Sequence, residues 1–280
     1  MATHIFPSVN DVNGGTAGKG KTMTELNVRK LMGVPYYGKP YVKSGAAGSN
    51  AGSLNLNVAL GVYCIEGYYV EKDATETVAL TASSTCRVWL QLVKDGSGNV
   101  TGTQWVVRTD ATVPSGEPSV LTHIVVTGAS TITTIYNGFR GIIAPGTIYE
   151  SQERTTSFSS APGASSFSAV VMTGFEVIGD AQTTMSFEHV HPSFDTDAAG
   201  AMIGTMVRDS ASGVDLGEGY VTSPGTNYRM PCRAFGRKAA FATRLDVDGY
   251  FYNSSGSTRF INLNSNTAQS PGYLIARFDF

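Results

Sequence analysis

From residue 54 onward, apolar and polar side chains alternate in short runs. In "LNLNVALGVYC" the residues Leu54, Leu56, Val58, Leu60, Val62 and Cys64 share one face, with Asn55 and Asn57 opposite. This period of two predicts a half-buried strand. "IEGYYVE" predicts a turn at Gly67 and a return strand through Tyr68 and Val70. "TVALTA" and "CRVWLQLV" read as further strands, the latter with Val88, Leu90 and Leu92 facing one way. "KDGSGNV" reads as a hairpin turn, because Asp95, Gly96 and Gly98 tolerate positive φ. "TQWVVR", "SVLTHIVVTG" and "STITTIYNG" continue the succession with no amphipathic helix between them. Strands resume in "FSAVVMTGFEVIG", "TTMSFEHVH", "AMIGTMVRD", "AFATRLDVDGYFYN", "TRFINLN" and "GYLIARFDF". The last of these places Leu274, Ala276, Phe278 and Phe280 on one face. An apolar strand of that kind is expected inside a sheet, since left exposed it would template aggregation.

The first fifty residues follow a different pattern. "MTELNVRKLMG" predicts a short helix capped by Thr24 and stopped by Gly33, with Leu26, Val28, Leu31 and Met32 as its apolar face. "VPYYGKPYVKSGAAGSNAGS" predicts an extended segment, because its prolines and glycines oppose a packed element. Pro145, Pro162 and a Ser/Gly-rich run mark a second boundary. The expected organisation is an all-β protein with two antiparallel domains of β-sandwich or jelly-roll type behind an N-terminal arm. The arm covers residues 1–50, the first β-domain 51–144, a linker 145–168 and the C-terminal β-sandwich 169–280.

Composition narrows the function classes. Charged residues make up 15% of the 280 positions and the formal net charge is −2, so the chain has no global pull toward nucleic acid or acidic membranes. No apolar run approaches the ~20 residues of a membrane span, and the N-terminus lacks the pattern of a signal peptide. Cys64, Cys86 and Cys232 have no zinc-ligand spacing and read as buried free thiols. Gly15, Gly20, Lys21 and Thr22 in "GTAGKGKT" match the phosphate-loop pattern. The stretch before them, "PSVNDVNG", is too polar to be the buried strand that such a loop requires, and no βαβ rhythm follows. Nor is there a G-x-S-x-G elbow to organise a nucleophile. The chain is expected not to be an enzyme.

"SLNLNVALGVYCIEGYYVE", "RVWLQLVKDGSGNV" and "VPSGEPSVLTHIVVTGASTITTIYNGFRG" occur in that order between residues 40 and 140. In this order of phrases the chain resembles tail-fibre, baseplate and related adsorption proteins of tailed bacteriophages. The resemblance implies a structural virion component, assembled in the host cytoplasm and carried in the virion. It also implies a homotrimer, an N-terminal arm that docks on neighbouring virion proteins through Leu26, Val28, Leu31 and Met32, and a distal C-terminal domain. A receptor-binding head that grips a host surface glycan is the alternative, and a polysaccharide depolymerase is a further one.

Three clusters carry candidate chemistry. Met185, Phe187, His189 and His191 alternate on one strand face, so both imidazoles point the same way. With the trimer that the resemblance implies, His189 and His191 near a symmetry axis could supply six nitrogens to one iron or zinc ion; without it the chain is expected to need no cofactor. Asp195, Asp197 and Asp209 supply carboxylates of the kind a depolymerase needs. Tyr250, Phe251 and Tyr252 lie beside a polar turn with Arg259 following. Tyr250, Tyr252 and Arg259 are the candidate receptor contacts, since aromatic faces beside polar donors suit glycans and protein surfaces.

Overall fold

The computed structural model describes residues 3–6, 39–141, 143, 146–154, 158–160, 169–196, 202–222, 228–253, 259–261 and 272–279, and every regular element among them is a strand. The sequence-predicted helix with Leu26, Val28, Leu31 and Met32, and the "GTAGKGKT" stretch, lie outside the described residues. The chain divides into two compact units. The first comprises Met1–Pro145, Ile178–Thr183 and Ala240–Arg244; the second comprises Gly146–Val177, Thr184–Ala239 and Leu245–Phe280.

The first unit contains β1 (Thr3–Phe6), β2 (Tyr41–Gly45), β3 (Gly48–Asn50), β4 (Asn55–Val58), β5 (Gly61–Ile65) and β6 (Tyr68–Lys72). It continues with β7 (Glu76–Ala79), β8 (Thr85–Lys94), β9 (Val100–Arg108), β10 (Ser119–Thr127) and β11 (Ile132–Asn137). These form antiparallel sheets ordered β1-β6-β5-β2, β3-β4-β7 and β11-β10-β8-β9. Leu56, Val58, Tyr63, Ile65 and Val70 from the first two sheets pack with Cys86, Val88, Leu90 and Leu92 of β8 in one core. Glu66 and Gly67 both take positive φ, 52° and 81°, and join Ile65 to Tyr68 in a two-residue hairpin turn. Part of the stretch expected as a separate arm therefore belongs to the first unit: β1 pairs with β6, β2 with β5 and β3 with β4.

One predicted strand is two. "LNLNVALGVYC" breaks after Val58, and β4 and β5 enter different sheets. At the corner Ala46 N–H donates to the Leu60 carbonyl at 2.8 Å and Ala59 N–H to the Ala47 carbonyl at 2.9 Å. Gly61 lets the Ala46 backbone approach, since a Cβ there would come within 2.7 Å of Ala46 N. Leu60, expected to face the core, is turned out and is 61% exposed.

The sheet containing β8 is apolar on both faces. Trp89, Leu121 and Ile124 form a second cluster with Ile178 and Ala242, contributed by the two later segments of this unit. Arg87 Nε donates to the Ala242 carbonyl at 2.5 Å, and its Nη1 to the Thr85 and Thr109 carbonyls at 3.2 and 3.1 Å. Burial lowers the pKa of this guanidinium, and the three carbonyls compensate for lost water. Arg87→Met is expected to reduce the unfolding free energy by roughly 2 kcal/mol in urea titrations, because it strips a buried donor from several acceptors.

The second unit contains β12 (Ile148–Arg154), β13 (Phe158–Ser160), β14 (Ala169–Ile178), β15 (Thr184–Thr196) and β16 (Met202–Asp209). It continues with β17 (Val214–Thr222), β18 (Tyr228–Lys238), β19 (Arg244–Asn253), β20 (Arg259–Ile261) and β21 (Gly272–Asp279). Two four-stranded sheets, β12-β21-β15-β18 and β14-β19-β16-β17, face each other, and β13 pairs with β20. The region expected as a linker thus supplies an edge strand, β12. Leu274, Ala276 and Phe278 of β21 are buried as the alternation predicts, and the strand lies between β12 and β15. At one side of this unit β17 and β18 nearly touch, backbone to backbone. A Cβ at Gly219 would sit 1.8 Å from the Arg233 carbonyl oxygen, and one at Gly236 would sit 1.9 Å from that of Leu216. Facing sheets ordinarily stand ~10 Å apart, and only absent side chains permit so close an approach.

Candidate recognition surface

The period of two decides where each side chain of the second unit goes. On β15 the inward positions are Met185, Phe187, His189 and His191, all buried. The two imidazoles lie edge to face with centroids 4.5 Å apart. Each fills a gap left by a glycine: a Cβ at Gly249 would meet the His189 ring at 2.8 Å, and one at Gly272 the His191 ring at 2.7 Å. His189 Nδ1 lies 3.3 Å from the Met206 carbonyl, and burial lowers its pKa to about 4. Both rings are enclosed within a single protomer. The expectation of a His189/His191 metal site at a trimer axis is corrected accordingly, because neither imidazole reaches a surface where three chains could meet. Among the described residues, no group of three or more His, Cys, Asp or Glu is placed to hold a metal. Cys64, Cys86 and Cys232 are buried and form no disulfide, as their spacing suggests.

Asp209, considered above as an acid–base group, has a structural role. It is buried, accepts the Asp246 backbone N–H at 2.9 Å, and accepts the Ser212 hydroxyl. The side chains of Asp195 and Asp197 lie outside the described residues.

The outward face of the β12-β21-β15-β18 sheet carries ion pairs. Glu188 takes Arg233 on one carboxylate oxygen at 2.5 Å and Arg277 on the other at 2.6 Å. Arg237 pairs with Asp279 at 2.7 Å.

The outward face of the β14-β19-β16-β17 sheet carries tyrosines. Register places Tyr252 (β19), Gly204 (β16) and Tyr220 (β17) in one cross-strand row, with Tyr250, Met206 and Glu218 in the next. Phe251 between the two predicted tyrosines points inward and is buried, so the "GYFYN" run splits between core and surface by alternation. Gly204 leaves a gap that the Tyr220 ring occupies, since a Cβ there would meet that ring at 2.8 Å. The Tyr220 and Tyr252 rings stand at 83° with centroids 5.5 Å apart, forming two walls of a corner. Tyr220 is 46% exposed and donates its hydroxyl to Glu218 Oε2 at 2.8 Å. Partial burial and then this carboxylate raise its pKa to about 12, so the ring stays neutral and anchored.

Tyr250 is engaged differently. The Arg208 guanidinium lies over its ring, 5.2 Å from the centroid, and Arg208 Nε also donates to Asp215 at 2.5 Å. Of the predicted contacts, Tyr250 and Tyr252 are therefore on one face but in different surroundings. The side chain of Arg259 lies outside the described residues. Tyr220, the fuller partner of Tyr252, is the residue that sequence reasoning missed. Its only signal is the alternation in "LGEGYVT", where Glu218 and Tyr220 point out and glycines take the inward places.

No family model matches the chain and no curated protein matches it. Among solved structures, the VP2 subviral particle of infectious bursal disease virus aligns with a TM-score of 0.31 and 11% identity, over 86% of this chain and 70% of that one. A T13 particle of the same virus aligns with a TM-score of 0.31 and 10% identity, over 89% and 74%. A Cry1Da tryptic core variant from Bacillus thuringiensis aligns with a TM-score of 0.22 and 7% identity, over 89% and 53%. Scores this low establish no shared fold, and the functional reading rests on the chain's own residues.

Proposed function

We propose that the chain is a structural virion component of a tailed bacteriophage, a tail-fibre, collar or baseplate protein, acting in assembly and host attachment without covalent chemistry. The observation that carries the attachment role is the tyrosine corner, in which the 46% exposed Tyr220 ring stands against the partly buried Tyr252 ring beside Glu218. The order of phrases between residues 40 and 140 supports the phage assignment. In this reading the protein works as a homotrimer, so that weak contacts at three copies of the corner add through multivalency. Residues of the arm, Leu26, Val28, Leu31 and Met32 among them, dock on neighbouring virion proteins. The structural use of Asp209 favours recognition over the depolymerase alternative.

Deleting residues 7–33 is expected to leave a folded oligomer that no longer enters particles. Incorporation is read by quantitative blotting of purified particles, and undiminished incorporation of the deleted chain would remove the arm's assigned role.

A further inference from the structure

Resting on the homotrimer reading, we propose that the outward face of the β12-β21-β15-β18 sheet lines the axis of that trimer, with β18 of one copy meeting β12 of the next. This face carries large apolar residues where a solvated sheet would carry polar ones. Phe235 on β18, Tyr273 on β21 and Ile148 on β12 are exposed, and the half-buried Val190 and Ile275 lie on the strands between Phe235 and Ile148. The cations in the same rows are all arginine, namely Arg233, Arg237 and Arg277. Aromatic residues with arginine in place of lysine are the composition of a protein interface.

Register and charge make a second copy the occupant. Arg233, Val190, Tyr273 and Glu153 form one row across the sheet, from the β18 edge to the β12 edge. The two edges are opposite in charge. On β18 the side chains of Arg233 and Arg237 stay 63% and 53% exposed while pairing with Glu188 and Asp279. On β12 Glu150 and Glu153 are exposed, and among the described residues neither has an ion-pair partner. A three-fold axis parallel to the strands keeps each row level, so Arg233 of one copy comes beside Glu153 of the next. Such a head-to-tail contact closes into a ring. Width fits three copies. Strands ~4.8 Å apart make the four-stranded face roughly 19 Å wide, and a triangle of that side has its centre about 5.5 Å from each sheet. Packed sheets stand ~10 Å apart, so each fills about 5 Å with side chains. Val190, Tyr273 and Ile275 on the two central strands therefore reach the centre, and Glu188 beside them is already neutralised by Arg233 and Arg277. The opposite sheet, with its tyrosine corner, faces away from the axis on every copy.

The test is sedimentation equilibrium of the full chain, with circular dichroism to confirm that each variant is folded. The wild-type chain is expected at the mass of three chains. Glu153→Arg, which removes no ion pair within its own chain, should weaken association about tenfold or more by placing like charges together. Tyr273→Asp on the central strand should do the same, whereas Tyr220→Ala on the opposite sheet should leave the mass unchanged. Adding Arg233→Glu to Glu153→Arg should recover most of the association, which a role for Glu153 in its own chain would not allow. A trimer that both Glu153→Arg and Tyr273→Asp leave intact overturns the assignment of this face and leaves the homotrimer reading standing. A dimer overturns the three-fold arrangement, and so does association abolished by Tyr220→Ala. A folded chain that stays monomeric at its highest soluble concentration removes the homotrimer reading and this proposal together, leaving the face to a different partner.

Discussion

Gly219→Val is expected to unfold the second unit under conditions where the wild-type chain is native. A Cβ at this position would lie 1.8 Å from the Arg233 carbonyl oxygen and 2.6 Å from its carbon. The obstacle is backbone, so no rotamer change relieves it, and β17 and β18 would have to separate. Separation would open the edge of the core beside Cys232 and Ala234, both buried on β18. Overpacking in a core ordinarily costs about 1–3 kcal/mol and more where nothing can move; here the cost is expected at or above the top of that range. Gly102→Val is the control, because nothing lies within 4 Å of a Cβ at that half-buried site on β9, and it should change stability by no more than about 0.5 kcal/mol. Hydrogen exchange resolved by peptide is the measurement. Protection lost across β15, β17 and β18 in Gly219→Val, with Gly102→Val unchanged, is the expected pattern; retained protection in both would refute the backbone-contact account.

Acid is expected to destabilise the protein well above the pH at which most carboxylates protonate. His123 and His189 are buried, and desolvation lowers their pKa values from 6.5 to about 3 and about 4; at His123 the nearby Arg140 adds to the effect. Between each folded value and 6.5 the unfolded chain binds more protons than the native one, so stability falls as pH falls through that window and is unaffected above it. Each group costs up to about 1.4 kcal/mol per pH unit, or roughly 3 kcal/mol by pH 4. Together that is a large share of the 5–15 kcal/mol typical of a domain, on the order of 6 kcal/mol. Urea midpoints measured from pH 7.5 to 4 should be flat to about 6.5 and then drop. His189→Gln should remove about half of the slope. A midpoint independent of pH between 6.5 and 5 would show that neither imidazole is held neutral.

Much of the fold could be read from alternation where inward positions are large and apolar. β8, β10, β15 and β21 show this, as do the turns at Gly67 and Asp95. Alternation failed where shape, and not hydrophobicity, sets the inward residue. β17 and β18 escaped because their inward places hold Gly217, Gly219, Cys232, Ala234 and Gly236, which are small so that two backbones can meet. On β18 the large residues point outward instead, with Phe235 51% exposed beside Arg233 and Arg237. The break at Leu60 was hidden for another reason: an alternating run continues across a corner as readily as along a strand. At the candidate site the tyrosines of β19 were legible, but their partner Tyr220 sat on one of the missed strands. The histidines were correctly placed on one face of β15. That face is the core, and the pattern of a single strand cannot tell an interior from a subunit interface.

The two late segments of the first unit set a schedule for synthesis. Trp89, Leu121 and Ile124 emerge from the ribosome long before Ala242, which completes the cover over them. At ribosomal speeds the gap between residue 145 and residue 244 is about 5–20 s. Until Ile178 and then Ala242 emerge, the nascent chain displays an apolar sheet face without its full cover, the kind of surface that holdase chaperones bind. A chain released short of residue 240 lacks Ala242 and never completes that cover. Truncated products are therefore expected to be less soluble for a reason that lies in the first unit, although the missing residues lie almost a hundred positions downstream of Pro145.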